Sequence, residues 1–141
     1  MADTHDLQRF VDAQEGSYET AAKELRDGQK RSHWMWYIFP QFAGLGRSST
    51  AQKFAVGSLD EAKAYVKHPV LGRRLGECTQ LVLDIDGRTA QQIFGYPDTL
   101  KFRSSMTLFD QAAEKSMFSA ALDTYYDGEP DEATLKLLGK E

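Results

Sequence analysis

Apolar side chains recur along this chain at intervals of three and four, the spacing that lines one face of an α-helix. Leu7, Phe10 and Val11 predict a first short helix, capped by Asp6 and broken by Gly16-Ser17. Tyr18, Ala21, Ala22 and Leu25 predict a second, stopped by Gly28 in a left-handed conformation. Ser58-Leu59-Asp60-Glu61 reads as a capping box that opens a helix carrying Ala62, Tyr65 and Val66 and ending near His68. Pro69 suits the first position of the next helix, where Leu71, Leu75, Cys78 and Val82 form the apolar stripe. Arg73 and Arg74 fall off that stripe, on a solvated or rim face.

The same pattern continues to the C-terminus. Thr89 and Gln92 have capping-box spacing ahead of Ile93 and Phe94, and Gly95 closes that short helix. From Pro97 to about Lys115, one face carries Phe102, Met106, Phe109 and Ala113, and a second carries Lys101, Ser104, Ser105 and Leu108. Ser116 is placed to cap a helix with Phe118, Ala121, Leu122 and Tyr125 inward, closed by Gly128. Pro130 begins a last helix through Leu135 and Leu138, ended by Gly139. No stretch alternates with period two for long enough to predict a strand, and residues 80–85 come nearest. The expectation is an all-α fold: one multi-helical globular domain over residues 1–141, fraying at about 1–5 and 139–141.

One stretch breaks the amphipathic pattern. Residues 34–39, Trp34-Met35-Trp36-Tyr37-Ile38-Phe39, are bulky and apolar without a polar stripe, and they hold both tryptophans. A segment apolar all round belongs inside a fold. It is far too short to cross a bilayer, which takes about 20 residues. A buried central helix is therefore expected over residues 32–39, capped by Ser32 and stopped by Pro40. The turn-rich run that follows, Gly44-Leu45-Gly46-Arg47-Ser48-Ser49, is neither a Walker loop nor a dinucleotide fingerprint, because the required lysine and third glycine are missing. Ser48 or Ser49 is placed to cap a helix from Thr50 to about Ala55.

Composition narrows the picture. The net charge of −4 argues against a general nucleic-acid binder. Cys78 is the single cysteine, so no internal disulfide forms and cysteine-rich zinc sites are excluded. His5, His33 and His68 have no paired metal-ligand spacing, so neither a metal nor a cofactor is expected. The N-terminus lacks a secretion signal and no apolar run reaches membrane length, which makes the cytoplasm the expected compartment and a membrane partner unexpected. Asp84-Ile85-Asp86-Gly87 has only the opening of a calcium loop and reads as a helix-ending turn.

Four motifs together resemble one known family. They are the run from Ser32 to Gln41, Gly44-Leu45-Gly46, the run from His68 to Leu75, and the run from Lys101 to Phe109. The chain resembles the domain-of-unknown-function family eighteen-ten, often labelled calpastatin, from about Leu7 to Tyr125. The resemblance implies an all-helical fold like that of a mycobacterial hypothetical protein of the same group, and it carries no catalytic residues. A calpastatin activity does not follow, since that kind of inhibition uses disordered repeats and this chain has a core-forming composition without repeats. A fainter likeness, buried tryptophan with a Lys-Phe helix, links the chain to helical proteins that process ADP-ribose-type N-glycosides.

The candidate chemistry gathers beside helix ends. His33, Trp34, Trp36 and Gln41, with Gly44, Gly46, Arg47 and Ser48 of the loop and Lys101, Ser104 and Ser105 of the later helix, supply aromatic surface, cations and hydrogen-bond donors. Such groups suit a small anionic or nucleotide-like ligand. This expectation requires the three segments to converge. The alternatives are a regulatory interaction module, which requires an exposed apolar patch, and an enzyme of the N-glycoside class.

Overall fold

The computed structural model describes residues 5–140. Helical periodicity becomes helices throughout: α1 (Gln8–Glu15), α2 (Tyr18–Arg26), α3 (Met35–Ile38), α4 (Ser49–Lys53), α5 (Leu59–Lys67), α6 (Leu71–Leu83), α7 (Ala90–Phe94), α8 (Asp98–Ala112), α9 (Ser116–Tyr126) and α10 (Glu132–Leu138). The fold is all-α. Extended pairing among the described residues is limited to an isolated parallel bridge between Phe42 and Val56. The strand alternative at residues 80–85 falls mostly within α6. No helix of the described residues is long and apolar enough to cross a membrane.

The most enclosed element is α8. It packs against α5, α7, α9 and α10. Beyond Lys101 both of its predicted faces are interior, because Phe102, Met106 and Phe109 are buried and so are Ser104, Ser105 and Leu108. An α-helix can be enclosed this way because its backbone satisfies its own hydrogen bonds. The hydroxyls inside need partners. Ser104 Oγ donates to the Leu100 carbonyl at 3.1 Å and Thr107 Oγ1 to the Arg103 carbonyl at 2.8 Å. Ser105 Oγ has no hydrogen-bond partner among the described residues. Phe102 stacks on Phe94 at 4.6 Å and meets Phe39 edge-on at 4.9 Å, which joins α7 and the end of α3 to α8 in one core.

Helix starts follow local hydrogen bonding. The hydroxyls of Ser48, Ser58 and Thr89 accept from the amides of Ala51, Glu61 and Gln92. Around Thr89 the capping box is complete. At α5 the box is half formed: Glu61 reaches the Gly57 amide and pairs with Arg9, leaving the Ser58 amide to other surroundings. Asp6 does not cap α1. Its backbone lies at φ 50°, and the Arg9 guanidinium instead gathers the carbonyls of His5, Asp6, Lys53 and Ala55. α10 begins at Glu132 rather than Pro130, and Asp131 caps it by accepting from the Thr134 amide. Ser116 is the first residue of α9 and makes no side-chain cap.

The α5–α6 corner explains the motif from His68 to Leu75. His68 Nδ1 accepts from the amides of Val70 and Leu71 at 3.1 and 3.2 Å, so the imidazole itself closes the turn ahead of α6. A Cβ on Gly72 would lie 2.0 Å from the Val66 carbonyl oxygen, so only glycine permits this approach of α6 to α5. Arg74 is not merely a rim residue. Its guanidinium lies 5.0 Å from the Tyr18 ring and donates to Gln14 Oε1, tying α6 to α1 and α2. The expected fraying falls partly on residues 1–4 and 141, outside the described residues. At the C-terminus, Gly139 and Lys140 still donate to Lys136 and Leu135.

Candidate functional site

The aromatic stretch is interior, though its helix is one turn long. α3 spans Met35–Ile38 rather than residues 32–39, and Ser32 does not cap it. The reason is Glu24. This α2 carboxylate, 6% exposed, turns toward the incoming chain. It accepts from the Arg31 amide at 2.7 Å, the Ser32 amide at 2.9 Å and Trp34 Nε1 at 2.9 Å, and also from Ser32 Oγ. Ser32 is therefore engaged before the helix begins. Burial pushes the Glu24 carboxyl up, but these donors outweigh it and bring it from an ordinary 4.5 down to about 2. Trp34, Met35, Ile38 and Phe39 point into the core, while Trp36 and Tyr37 are half-buried and His33 is exposed.

That split creates a recess beside α3. His33, Met35 and Trp36 form one wall of a hollow of about 290 Å³, and Tyr96, Asp98 and Lys101 form the other. Lys30 and Pro97 complete it. Lys30 Nζ lies 2.7 Å from Asp98 Oδ2, with only 8% of the lysine side chain exposed. Lys101 is 3.5 Å from the same carboxylate and 5.2 Å from the centre of the Trp36 ring. Two cations thus share one anion. Asp98 is held closely by Lys30 and loosely by Lys101. Neither the His33 imidazole nor the Trp36 indole N–H has a hydrogen-bond partner among the described residues. Tyr96 stands 75% exposed at the lip.

The structure brings His33, Trp36 and Lys101 to this hollow. On the other side of Trp36, Gln41 and Gly46 line a narrow cleft with Phe54, only about 10 Å³ in volume. Trp34 lies within the core, committed to Glu24 and with Lys30 5.2 Å above its ring. Gly44 adopts φ 101° and lies against Leu137 of α10. Ser48 is occupied as the α4 cap, and Arg47 points outward, its carbonyl held by Gln52. Ser104 and Ser105 are enclosed within α8 and reach neither recess.

The hollow also contains residues that periodicity does not single out. Lys30 looks like part of a generic basic pair with Arg31, and Tyr96 and Asp98 look like turn residues around Pro97. The available signal was one tyrosine and a proline beside a helix-opening acid, Tyr96-Pro97-Asp98. Among the described residues no three His, Cys, Asp or Glu side chains cluster to hold a metal. Cys78 is fully buried on the α6 stripe, and burial pushes its thiol up to about 12.

No curated protein matches the chain. The chain is similar to the conserved hypothetical protein Rv1873 from Mycobacterium tuberculosis: the two share 50% identity and superpose with a TM-score of 0.96, over 97% of this chain and 99% of that one. Residues 4–138 match the family described as "Protein of unknown function (DUF1810)". The chain belongs to that family.

Proposed function

We propose that the hollow between α3 and the start of α8 binds a small anionic ligand that carries a flat group, as nucleotide-like molecules do. What supports the reading is one arrangement: a half-exposed indole, an exposed tyrosine, an unpartnered imidazole and a loosely paired lysine face the same space of about 290 Å³. Asp98 sits 2.7 Å from Lys30 and 3.5 Å from Lys101, so Lys101 is the cation more readily turned toward an incoming anion. The rings of Trp36 and Tyr96 offer stacking surface, and His33 offers a hydrogen bond. Interaction-module behaviour draws less support. The large apolar side chains exposed among the described residues are Tyr96, Leu100 and Leu137, too few for a broad patch. Glycoside chemistry usually takes two carboxylates, and among the described residues the hollow is lined by one, Asp98, already paired with both lysines.

The test is a thermal-shift series with AMP, glucose 6-phosphate and ADP-ribose. A ligand present at a hundred times its dissociation constant stabilises by about 2.7 kcal/mol. At least one compound is expected to raise the melting temperature of the native chain but not that of Trp36→Ala or Lys101→Ala. A rise that survives in both variants, or none with any compound, rejects the proposal.

A further inference from the structure

A second recess shares no residue with the first. It is a groove of about 630 Å³ between α5 and the segment joining α8 to α9. Its floor is apolar, made by Val66, Ala112 and Ala113. Its rim is basic. Lys63 and Lys67 stand one turn apart on α5, Lys115 stands opposite, and among the described residues Glu114 is the one acid that lines the groove. All three lysines are exposed, and none joins an ion pair among the described residues. On a chain whose net charge is −4, this is a local excess of positive charge.

The backbone along one side of the groove is also open. Ala113 (φ −142°, ψ 146°) and Lys115 (φ −118°, ψ 119°) are extended. The carbonyls of Ala113 and Glu114 and the amides of Glu114 and Lys115 have no hydrogen-bond partner among the described residues. Extended backbone with free donors and acceptors is a template for an added strand. In such a strand alternate side chains point to opposite sides, so one set would meet the apolar floor and the other the lysines.

We propose that this groove docks an extended acidic segment of a partner protein, hydrogen-bonded along residues 113–115 and charge-matched to Lys63, Lys67 and Lys115. The pairing of backbones holds the segment, and the lysines select acid over base.

The test uses the full chain and a fluorescein-labelled peptide of alternating glutamate and valine, read by fluorescence anisotropy at low salt. Saturable binding is expected. It should weaken about tenfold in Lys63→Glu/Lys67→Glu and in Lys115→Glu. It should remain unchanged in Lys23→Glu, a reversal of an exposed lysine on α2 that lines neither recess, and be lost when the peptide backbone is N-methylated. All the substitutions are on exposed side chains, and unchanged melting temperatures establish that the variants fold. Four results overturn the proposal: equal binding of the lysine-valine counterpart, equal binding to the reversed variants, equal binding of the N-methylated peptide, or no peptide binding. Sedimentation with phosphatidylserine vesicles in place of peptide binding, or a dimer that the same reversals dissociate, would assign the groove to a membrane or to a second copy and overturns it as well.

Discussion

Residues 34–39 are apolar without interruption, whereas residues 102–109 are broken by Arg103, Ser104, Ser105 and Thr107. The second run is nevertheless the deeper. From Ser104 to Phe109 every side chain is buried, while Trp36 and Tyr37 in the first run remain half-exposed. The difference lies in the backbone. The long helix α8 satisfies its own amides and carbonyls and back-bonds two of its hydroxyls, so it can be surrounded on every side. The chain entering α3 cannot do this, because its amides at Arg31 and Ser32 are not yet helical. They depend on a carboxylate from another element, Glu24. Apolar content attracts a segment toward the interior, and hydrogen-bond supply decides how far it goes.

Substitutions can break or sharpen this contrast. The largest effect is expected for Phe102→Ala, which empties the junction of Phe39, Phe94 and Phe102 and should cost about 4 kcal/mol in urea denaturation. If Trp36→Ala costs as much, the two runs are equally central and the contrast fails. Next comes Glu24→Gln, which keeps the shape but turns an amide N–H₂ toward groups that are themselves donors. It should cost about 3 kcal/mol.

The same residue sets a pH window. Its folded value, about 2, lies below the ordinary 4.5, so its contribution is complete above pH 4.5 and declines as pH falls toward 2. Denaturation midpoints of the native chain should fall across that window by more than those of Glu24→Gln. Parallel curves would remove Glu24 as the anchor.

Trp36→Ala should cost less stability, about 1–2 kcal/mol, since the ring is only half-buried. Its main expected effect is the loss of any ligand-induced thermal shift. The smallest change belongs to Ser105→Ala. Removing a buried hydroxyl without a partner should leave stability unchanged or raise it by up to about 1 kcal/mol. A loss of more than that in calorimetry would mean that Ser105 has a partner after all.

Much of the fold was legible because the relevant physics is local. A hydroxyl three residues ahead of a free amide marks a helix start whatever surrounds it, which is why Ser48, Ser58 and Thr89 were readable. The stripe of Leu71, Leu75, Cys78 and Val82 is set by helical geometry alone. Non-local contacts were not readable. Asp6 lies at φ 50° and does not cap α1, and Arg9 beside it collects carbonyls from residues 53 and 55, far along the chain. Glu24 sits on α2 among other charged residues, and nothing in its neighbourhood announces the donors that reach it after the turn at Gly28. The candidate site divides the same way. His33, Trp36 and Lys101 were visible as unusual side chains near helix ends. Tyr96 and Asp98 enter only because α7, α8 and α3 meet. Ser104 and Ser105 looked available because sequence spacing cannot say that both faces of α8 are covered.

Cys78 adds a practical consequence. The chain carries one cysteine, sealed on α6 at 0% exposure, with its thiol raised to about 12. At neutral pH almost no reactive thiolate exists in the closed molecule. An alkylating reagent must therefore wait for the protein to open. The rate of maleimide capture is a built-in stopwatch for opening, available without adding a label.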